Sequence, residues 1–427
     1  MQQFKDFGLH PSIVEALTKK GYTTPTPIQA QSIPHLLEGK DLLGIAQTGT
    51  GKTAAFSLPI INRLTKSNTK TNSRCVKVLI LTPTRELASQ IDMNIRGYSK
   101  GMNIKSAVVF GGVGYQPQIQ ALFKGLEILV ATPGRLMDLI NERHIDFSQL
   151  EVFVLDEADR MLDMGFINDV KKIIAKLPTN KQTLLFSATM PKDIAQLANS
   201  ILKNPVRVEV TPESTTVERI EQKVYMVTKV NKTILLEHLL KTQPEIKSVL
   251  VFTRTKHGAD RIMRHLQFHK ITCGAIHGNK SQGAREEALN NFRNGKIRVL
   301  IATDIAARGI DIPHVTHVIN FNLPEDAKNY VHRIGRTARA GRDGAAISFC
   351  DETEGDILRG IEKLTKQKLE IETNHPYHGI KLPVPVSKPR GPKAAKPQKS
   401  NSVMPTRPKA KPKAGQVARK FQNRKPS

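Results

Sequence analysis

Lys52 and Thr53 close the stretch AQTGTGKT at residues 46–53. With Gly49 and Gly51 before them they supply what a phosphate cradle requires. The glycines allow a tight turn whose backbone N–H groups face phosphate oxygens, the ammonium reaches the β and γ phosphates, and the hydroxyl holds Mg²⁺. Ala46 stands where the general G-x-x-x-x-G-K-[ST] pattern has glycine, a place open to a methyl group if the residue keeps a negative φ. A second stretch, VFVLDEAD at 152–159, ends an apolar run in acids. At the tip of a parallel strand Asp156 can hold the water shell of Mg²⁺ and Glu157 can orient an attacking water. In YVHRIGRTARAG, Arg333, Arg336 and Arg339 recur at spacings of three, which puts them near one helix face as a basic patch. Arg336 and Arg339 are candidates to reach the γ phosphate across a cleft, a contribution of about 10³ to 10⁵ in rate where such fingers operate.

These groups need strands to present them. DLLGIA, KVLILTP, AVVFG, EILVATP, VFVLDEA and TLLFSAT are short apolar runs, each followed by a helical pattern such as RELASQIDMNI. A second series, SVLVFTR, ITCGAIHG, IRVLIATD, THVINFN and AAISFC, follows. Strands alternating with helices imply α/β domains with parallel sheets covered on both faces. AQTGTGKT lies between a strand and the helical run TAAFSLPIINRL, the setting a phosphate loop needs. The series break at NPVRVEVTPESTTVE (204–218), which reads as a linker between two domains.

The chain of 427 residues is longer than one hydrophobic core usually serves. No apolar stretch reaches the length of a bilayer span, and the N-terminus lacks the order of a secretory signal, so a cytoplasmic protein without a membrane partner is expected. Cys75, Cys273 and Cys350 are too far apart for a zinc motif or a disulfide framework. A net charge of +27 favours a polyanion, nucleic acid first and an anionic membrane surface second. Residues 381–427 hold 14 Lys or Arg, nine Pro and no acid, a composition that reads as a disordered tail; taking its 14 charges from +27 leaves +13 on the rest.

With these pieces in order, residues 1–370 resemble the DEAD-box family of ATP-dependent RNA helicases, whose name is spelled by Asp156, Glu157, Ala158 and Asp159. GYTTPTPIQ (21–29) resembles the family's adenine-reading Q motif. The resemblance implies that Gln29 bonds the base, Tyr22 shapes its pocket, and Phe4, seventeen residues before Gly21, stacks on it. Motif I, comprising Ala46, Gln47, Thr48, Gly49, Thr50, Gly51, Lys52 and Thr53, would surround the nucleotide, and alanine is the family's usual residue at position 46. PTRELA, the glycines 111 and 112, TPGR and SAT follow in order, then VFTRT, HGNKSQGAR, ATDIAARGID and HRIGRTAR. By the same resemblance Pro83, Thr84, Arg85, Gly112, Thr132 and Arg135 of the first domain would line the RNA path. Arg254, Gly278, Gln282, Arg285, Thr303 and Asp304 of the second would do the same. Asp311 would contact the ribose, while Ser187, Thr189 and His332 would couple nucleotide to RNA. Ala338 replaces a glycine of the commonest motif VI, which would strain the chain if that position needs φ > 0.

The implied architecture is two tandem RecA-like domains with parallel sheets and a basic tail. Its divisions are a Q-motif region (1–30), domain 1 (31–208), a linker (209–217), domain 2 (218–372) and the Lys/Pro-rich tail (373–427). The implied activity is RNA-stimulated ATP hydrolysis with Mg²⁺, coupled to local unwinding of RNA or remodelling of its protein complexes. Catalysis would rest on Lys52, Asp156, Glu157, Arg336 and Arg339, with Thr53 and Asp156 on the metal. An ATP-gated RNA clamp or scaffold without productive unwinding is the alternative, and a DNA helicase of the same superfamily the third reading. DEADRMLDMGF, HGNKSQGAR and the tail look most like the bacterial RhlE subgroup. Ribosomal precursors and the RNA-decay machinery are compatible partners.

Overall fold

The computed structural model describes residues 2–67, 69–210, 220–307, 315–338 and 344–378. Seven strands build the first sheet: β1 (Leu42–Ile45), β2 (Val76–Leu81), β3 (Ser106–Val109), β4 (Leu126–Ala131), β5 (Val152–Leu155), β6 (Gln182–Ser187) and β7 (Val206–Glu209). The second has β8 (Ile220–Met226), β9 (Val249–Phe252), β10 (Cys273–Ile276), β11 (Val299–Ala302), β12 (His317–Asn320), β13 (Gly344–Cys350) and β14 (Glu370–Glu372). The spatial orders are β3-β4-β2-β5-β6-β1-β7 and β10-β11-β9-β12-β13-β8-β14, with every pairing parallel. Subtracting seven from each label of the second order reproduces the first. The two domains are therefore one topology used twice, and both are RecA-like.

Period-two alternation divides the inner strands of each sheet between two cores. In the first sheet Ile80, Val154 and Phe186 face one cluster, while Leu79, Phe153 and Leu185 face the other. In the second, Val251 and Ile301 lie in one cluster and Leu250 and Leu300 in another. Both faces are dry, which is why these strands read as continuous apolar runs rather than as alternating ones.

The break at 204–218 is not all linker, because Val206–Glu209 pairs with β1 along its full length. Its alternating exposure marks an edge strand, and so few apolar residues hide it from a periodicity search. The strands β8 and β14 were also not expected. The first is rich in polar residues and the second is only three residues long. Residues 373–378, which composition joins to the tail, include Tyr377 packed on the second domain's core and His375 against the Tyr225 ring. The basic stretch 379–427 lies outside the described residues. Among the described residues no helix is long and apolar enough to cross a membrane.

Candidate nucleotide and nucleic-acid site

Three adjacent strands, β1, β6 and β5, end side by side and bring three predicted motifs to one edge. The loop after β1 is anchored there by the Ala46 N–H, which donates to the Ser187 carbonyl at 3.0 Å. Gly49 and Gly51 take φ of +89° and +96°, values that favour glycine, and the helix Lys52–Lys66 starts at once. Its first turn leaves backbone N–H groups without intrahelical acceptors, the feature that makes a helix start an anion cradle. The Lys52 ammonium is buried and donates to the Ala46 carbonyl at 2.8 Å, so it folds back over the loop it must neutralise. Gln29 reaches the same loop: its Nε2 donates to the Gly51 carbonyl at 3.0 Å while its Oε1 accepts from the Thr26 N–H at 2.9 Å. Phe4 is buried in the first domain's core beside Phe7, whereas Tyr22 is 47% exposed.

At the tip of β5, Asp156 is 2% exposed. Burial, with the charge of Glu157 beside it, pushes its carboxyl up to about 7 against the opposing pull of Lys52. Glu157 adopts φ +53° and ψ +50°, a left-handed conformation costing a non-glycine residue about 1–2 kcal/mol. That bend turns its carboxylate to Arg160, whose Nη1 lies 3.1 Å away, and to the Thr48 hydroxyl at 3.4 Å. A carboxylate and a hydroxyl, Asp156 and Thr53, are the hard oxygen donors that Mg²⁺ takes, so the residues present fit a magnesium nucleotide. Asp159 ties the third motif in, accepting from the Thr189 N–H and hydroxyl at 2.9 Å each, while its own N–H donates to Ser187 Oγ at 3.2 Å.

The second domain presents charge to this edge. Arg160 and Asp163 of the first domain and Asp304, His332, Arg333 and Arg336 of the second line one cavity of about 20 Å³. Burial lowers the His332 imidazole below its ordinary range, and Arg160 adds to this. The spacing of three does not create a shared helix face here. The helix Ala327–Ile334 ends before Arg336, and Arg333 turns inward onto Asp304, with 2.6 Å contacts to both carboxylate oxygens, and onto the Asn320 side chain and the Asn322 carbonyl. Arg333 is thus a structural residue, and its partner Asp304, expected on the RNA path, is committed to it. Ala338 does have φ +53°. Asp311 and Arg339 lie outside the described residues.

Of the residues expected to touch RNA, Arg85 lies over Gly112, filling the space a Cβ there would need. Burial lowers its guanidinium, and repulsion from Arg285 acts in the same direction. Arg135 stacks on the Tyr115 ring at 4.6 Å. Arg285 reaches the first domain, where its Nη2 pairs with Glu86 at 2.8 Å. Thr84 uses its hydroxyl to cap the helix Arg85–Tyr98. Thr132 stands at the start of the helix Pro133–Asn141, and Pro83 precedes Thr84. In the second domain Gln282 is buried and bonds Glu286, Thr303 precedes the short helix Asp304–Ala307, and open space surrounds Gly278. Arg254 is held near Glu325 and Glu354. Sequence reasoning passed over Glu86, Asp159 as a tether and Arg160. All three lie inside stretches already singled out, Glu86 in PTRELA and Asp159 and Arg160 in DEADRMLDMGF.

A model described as DEAD/DEAH box helicase matches residues 26–197, and one described as helicase conserved C-terminal domain matches 231–341. The chain is 44% identical over 371 residues to the ATP-dependent RNA helicase CshA of Listeria monocytogenes, covering 87% of this chain and 70% of that one. It is 42% identical to the DEAD-box ATP-dependent RNA helicase CshA of Bacillus subtilis, with coverages of 86% and 73%. Among solved structures it resembles S. cerevisiae Dbp5 bound to RNA and ADP BeF3, with a TM-score of 0.75, 32% identity and coverages of 87% and 96%. A duplicated sheet, a phosphate loop beside an acidic strand tip and these likenesses agree: the chain belongs to the DEAD/DEAH box helicase family.

Proposed function

We propose that the chain is an ATP-dependent RNA helicase whose nucleotide site is completed by its second domain. The observation that carries this is the shared cavity in which Arg160 and Asp163 meet His332 and Arg336. Lys52 and the first turn of its helix hold the phosphates, Gln29 reads the base, and Thr53 and Asp156 would hold Mg²⁺. When bound, that ion would supply neutralisation of the phosphate charge. Glu157 orients water for attack, and Arg336, joined by Arg339, stabilises charge on the transferred group. Asp159 links this edge to Ser187 and Thr189, and Arg85, Gly112 and Arg135 offer an adjoining basic surface for RNA. Their contacts fall on phosphate and sugar, so recognition is tolerant of sequence. Binding of both ligands favours the arrangement in which the two domains touch, and closure deforms the bound strand so that its complement is released.

The finer subgroup, RhlE-like, rests on DEADRMLDMGF, HGNKSQGAR and the basic tail alone; the relatives named CshA do not add to it. We assign the protein to the cytoplasm, where three buried free cysteines stay reduced and where ribosomal precursors and decaying RNA are present. ATP turnover with and without RNA or DNA, alongside displacement of a labelled strand from an RNA duplex, tests the assignment. Turnover raised by RNA and displacement that needs ATP are expected. Turnover indifferent to RNA would overturn the helicase reading, and RNA-stimulated turnover without displacement would favour the clamp.

A further inference from the structure

Outside the nucleotide site, two helices of the second domain place three metal-ligating side chains together. His265 and His269 stand four residues apart at the end of the helix Lys256–Phe268, so both rings project on one side. Their centroids are 4.7 Å apart. From the neighbouring helix Lys232–Thr242, Glu237 reaches between them: Oε2 lies 2.7 Å from His265 Nε2 and Oε1 lies 3.1 Å from His269 Nδ1. One donor atom from each residue falls within 4.8 Å of the others. The side chains are 13%, 28% and 31% exposed for Glu237, His265 and His269, sheltered yet reachable from solvent.

We propose that Glu237, His265 and His269 form a binding site for a divalent transition metal of the zinc type. A helical pair of histidines four apart is a known geometry for Zn²⁺, and two imidazoles with one carboxylate leave a fourth position for water. The donor set selects against Mg²⁺, which takes oxygen ligands, so the site is chemically separate from the nucleotide's metal. In the metal-free protein His265 Nε2 and Glu237 Oε2 share a hydrogen bond, and His269 Nδ1 faces Oε1 of the same carboxylate at 3.1 Å. Metal takes the place of any proton on these facing ring nitrogens, which moves to the far ring nitrogen or to solvent. Glu237 also pairs with Lys241 at 2.7 Å, an ion pair whose lysine is half exposed and can swing aside at little cost. Bound metal would staple the two helices.

The test is calorimetric titration of the full chain with ZnCl₂ after chelator treatment, repeated with CoCl₂ while following visible absorption. Expected are one equivalent of tight sites, a tetrahedral Co²⁺ spectrum, and a higher thermal midpoint with Zn²⁺. His265→Gln and Glu237→Gln should each weaken this binding by at least about 100-fold. Lys241→Gln should bind at least as tightly as the wild type. Titrations of the His265 and Glu237 variants that superimpose on wild type would overturn the proposal, as would no wild-type binding at about 100 μM Zn²⁺. Far-ultraviolet circular dichroism establishes that the variants are folded, and RNA-stimulated ATP turnover, which uses none of these side chains, should be unchanged in them.

Discussion

Arg160 Nη1 lies 3.1 Å from Glu157 Oε2, and both side chains are buried. The same guanidinium donates to the Thr48 hydroxyl at 3.3 Å, so one arginine ties the acid proposed to orient water to the phosphate loop. Arg160 is therefore a positioning residue for Glu157. Arg160→Lys keeps the charge and loses the fork, and should lower kcat for RNA-stimulated ATP turnover while leaving KM for ATP nearly unchanged. Arg160→Ala strips the partner from a buried carboxylate and should cost about 3–5 kcal/mol of stability by chemical denaturation. A lysine variant with wild-type kcat would remove Arg160 from this role.

Gly51 is constrained twice. Its φ is +96°, and a Cβ on it would overlap Nε2 of Gln29. In Gly51→Ala the loop escapes both penalties by leaving its phosphate-ready shape, and nucleotide binding must then restore that shape. The left-handed strain alone, about 1–2 kcal/mol, predicts a loss of about 5- to 30-fold in ATP affinity. Binding of a fluorescent ATP analogue measures it, with the thermal midpoint showing that the fold survives. Affinity equal to wild type would mean that the loop tolerates a side chain here.

The candidate site was legible in the sequence because its residues are contiguous and lie at strand ends. Lys52, Thr53, Asp156 and Glu157 could be read from two short stretches, and the strands that carry them are apolar throughout. Arg333 was misplaced for the opposite reason. Spacing of three describes a continuing helix, but this one stops at Ile334, and the carboxylate that draws Arg333 inward lies 29 residues away in sequence. The strand β7 was hidden because an edge strand needs only half an apolar face. Glu86 and Arg285 come from different domains, and no local pattern records their pairing.

His332 gives the protein an acid-sensitive element. Burial, then the positive charge of Arg160, lowers its pKa below the ordinary 6.5, with Arg336 acting in the same sense and Asp159 and Asp163 opposing. A depressed folded pKa means that the unfolded chain binds the extra proton first. The stability contributed is full above about pH 6.5 and is lost as pH falls through the folded value. His332→Gln should make the decline in unfolding midpoint below pH 6.5 shallower than in wild type. Burial also lowers His317 and His375, so part of the slope should remain. Parallel pH profiles for wild type and variant would show that His332 does not titrate this way.

Ala338 carries backbone strain that a glycine would relieve. At φ +53° its Cβ crowds the backbone, at about 1–2 kcal/mol for an L-residue. Glycine removes that cost, but adds about 0.4–1 kcal/mol of unfolded-state entropy and forfeits the packing of a half-buried methyl on the cluster of Tyr330 and Ile334. These effects nearly balance, so Ala338→Gly should be neutral to stabilising by at most about 1 kcal/mol. Ala338→Val sharpens the test, because a β-branched residue is a genuine outlier at positive φ and should lose more than about 1 kcal/mol. Urea midpoints for the three proteins decide it. Arg336 lies two residues earlier in the same turn, so the valine variant should also lose RNA-stimulated ATP turnover while the glycine variant keeps it. Equal stability of the valine and alanine proteins would mean that the turn relaxes out of the left-handed region, and the strain assigned to Ala338 would then be absent.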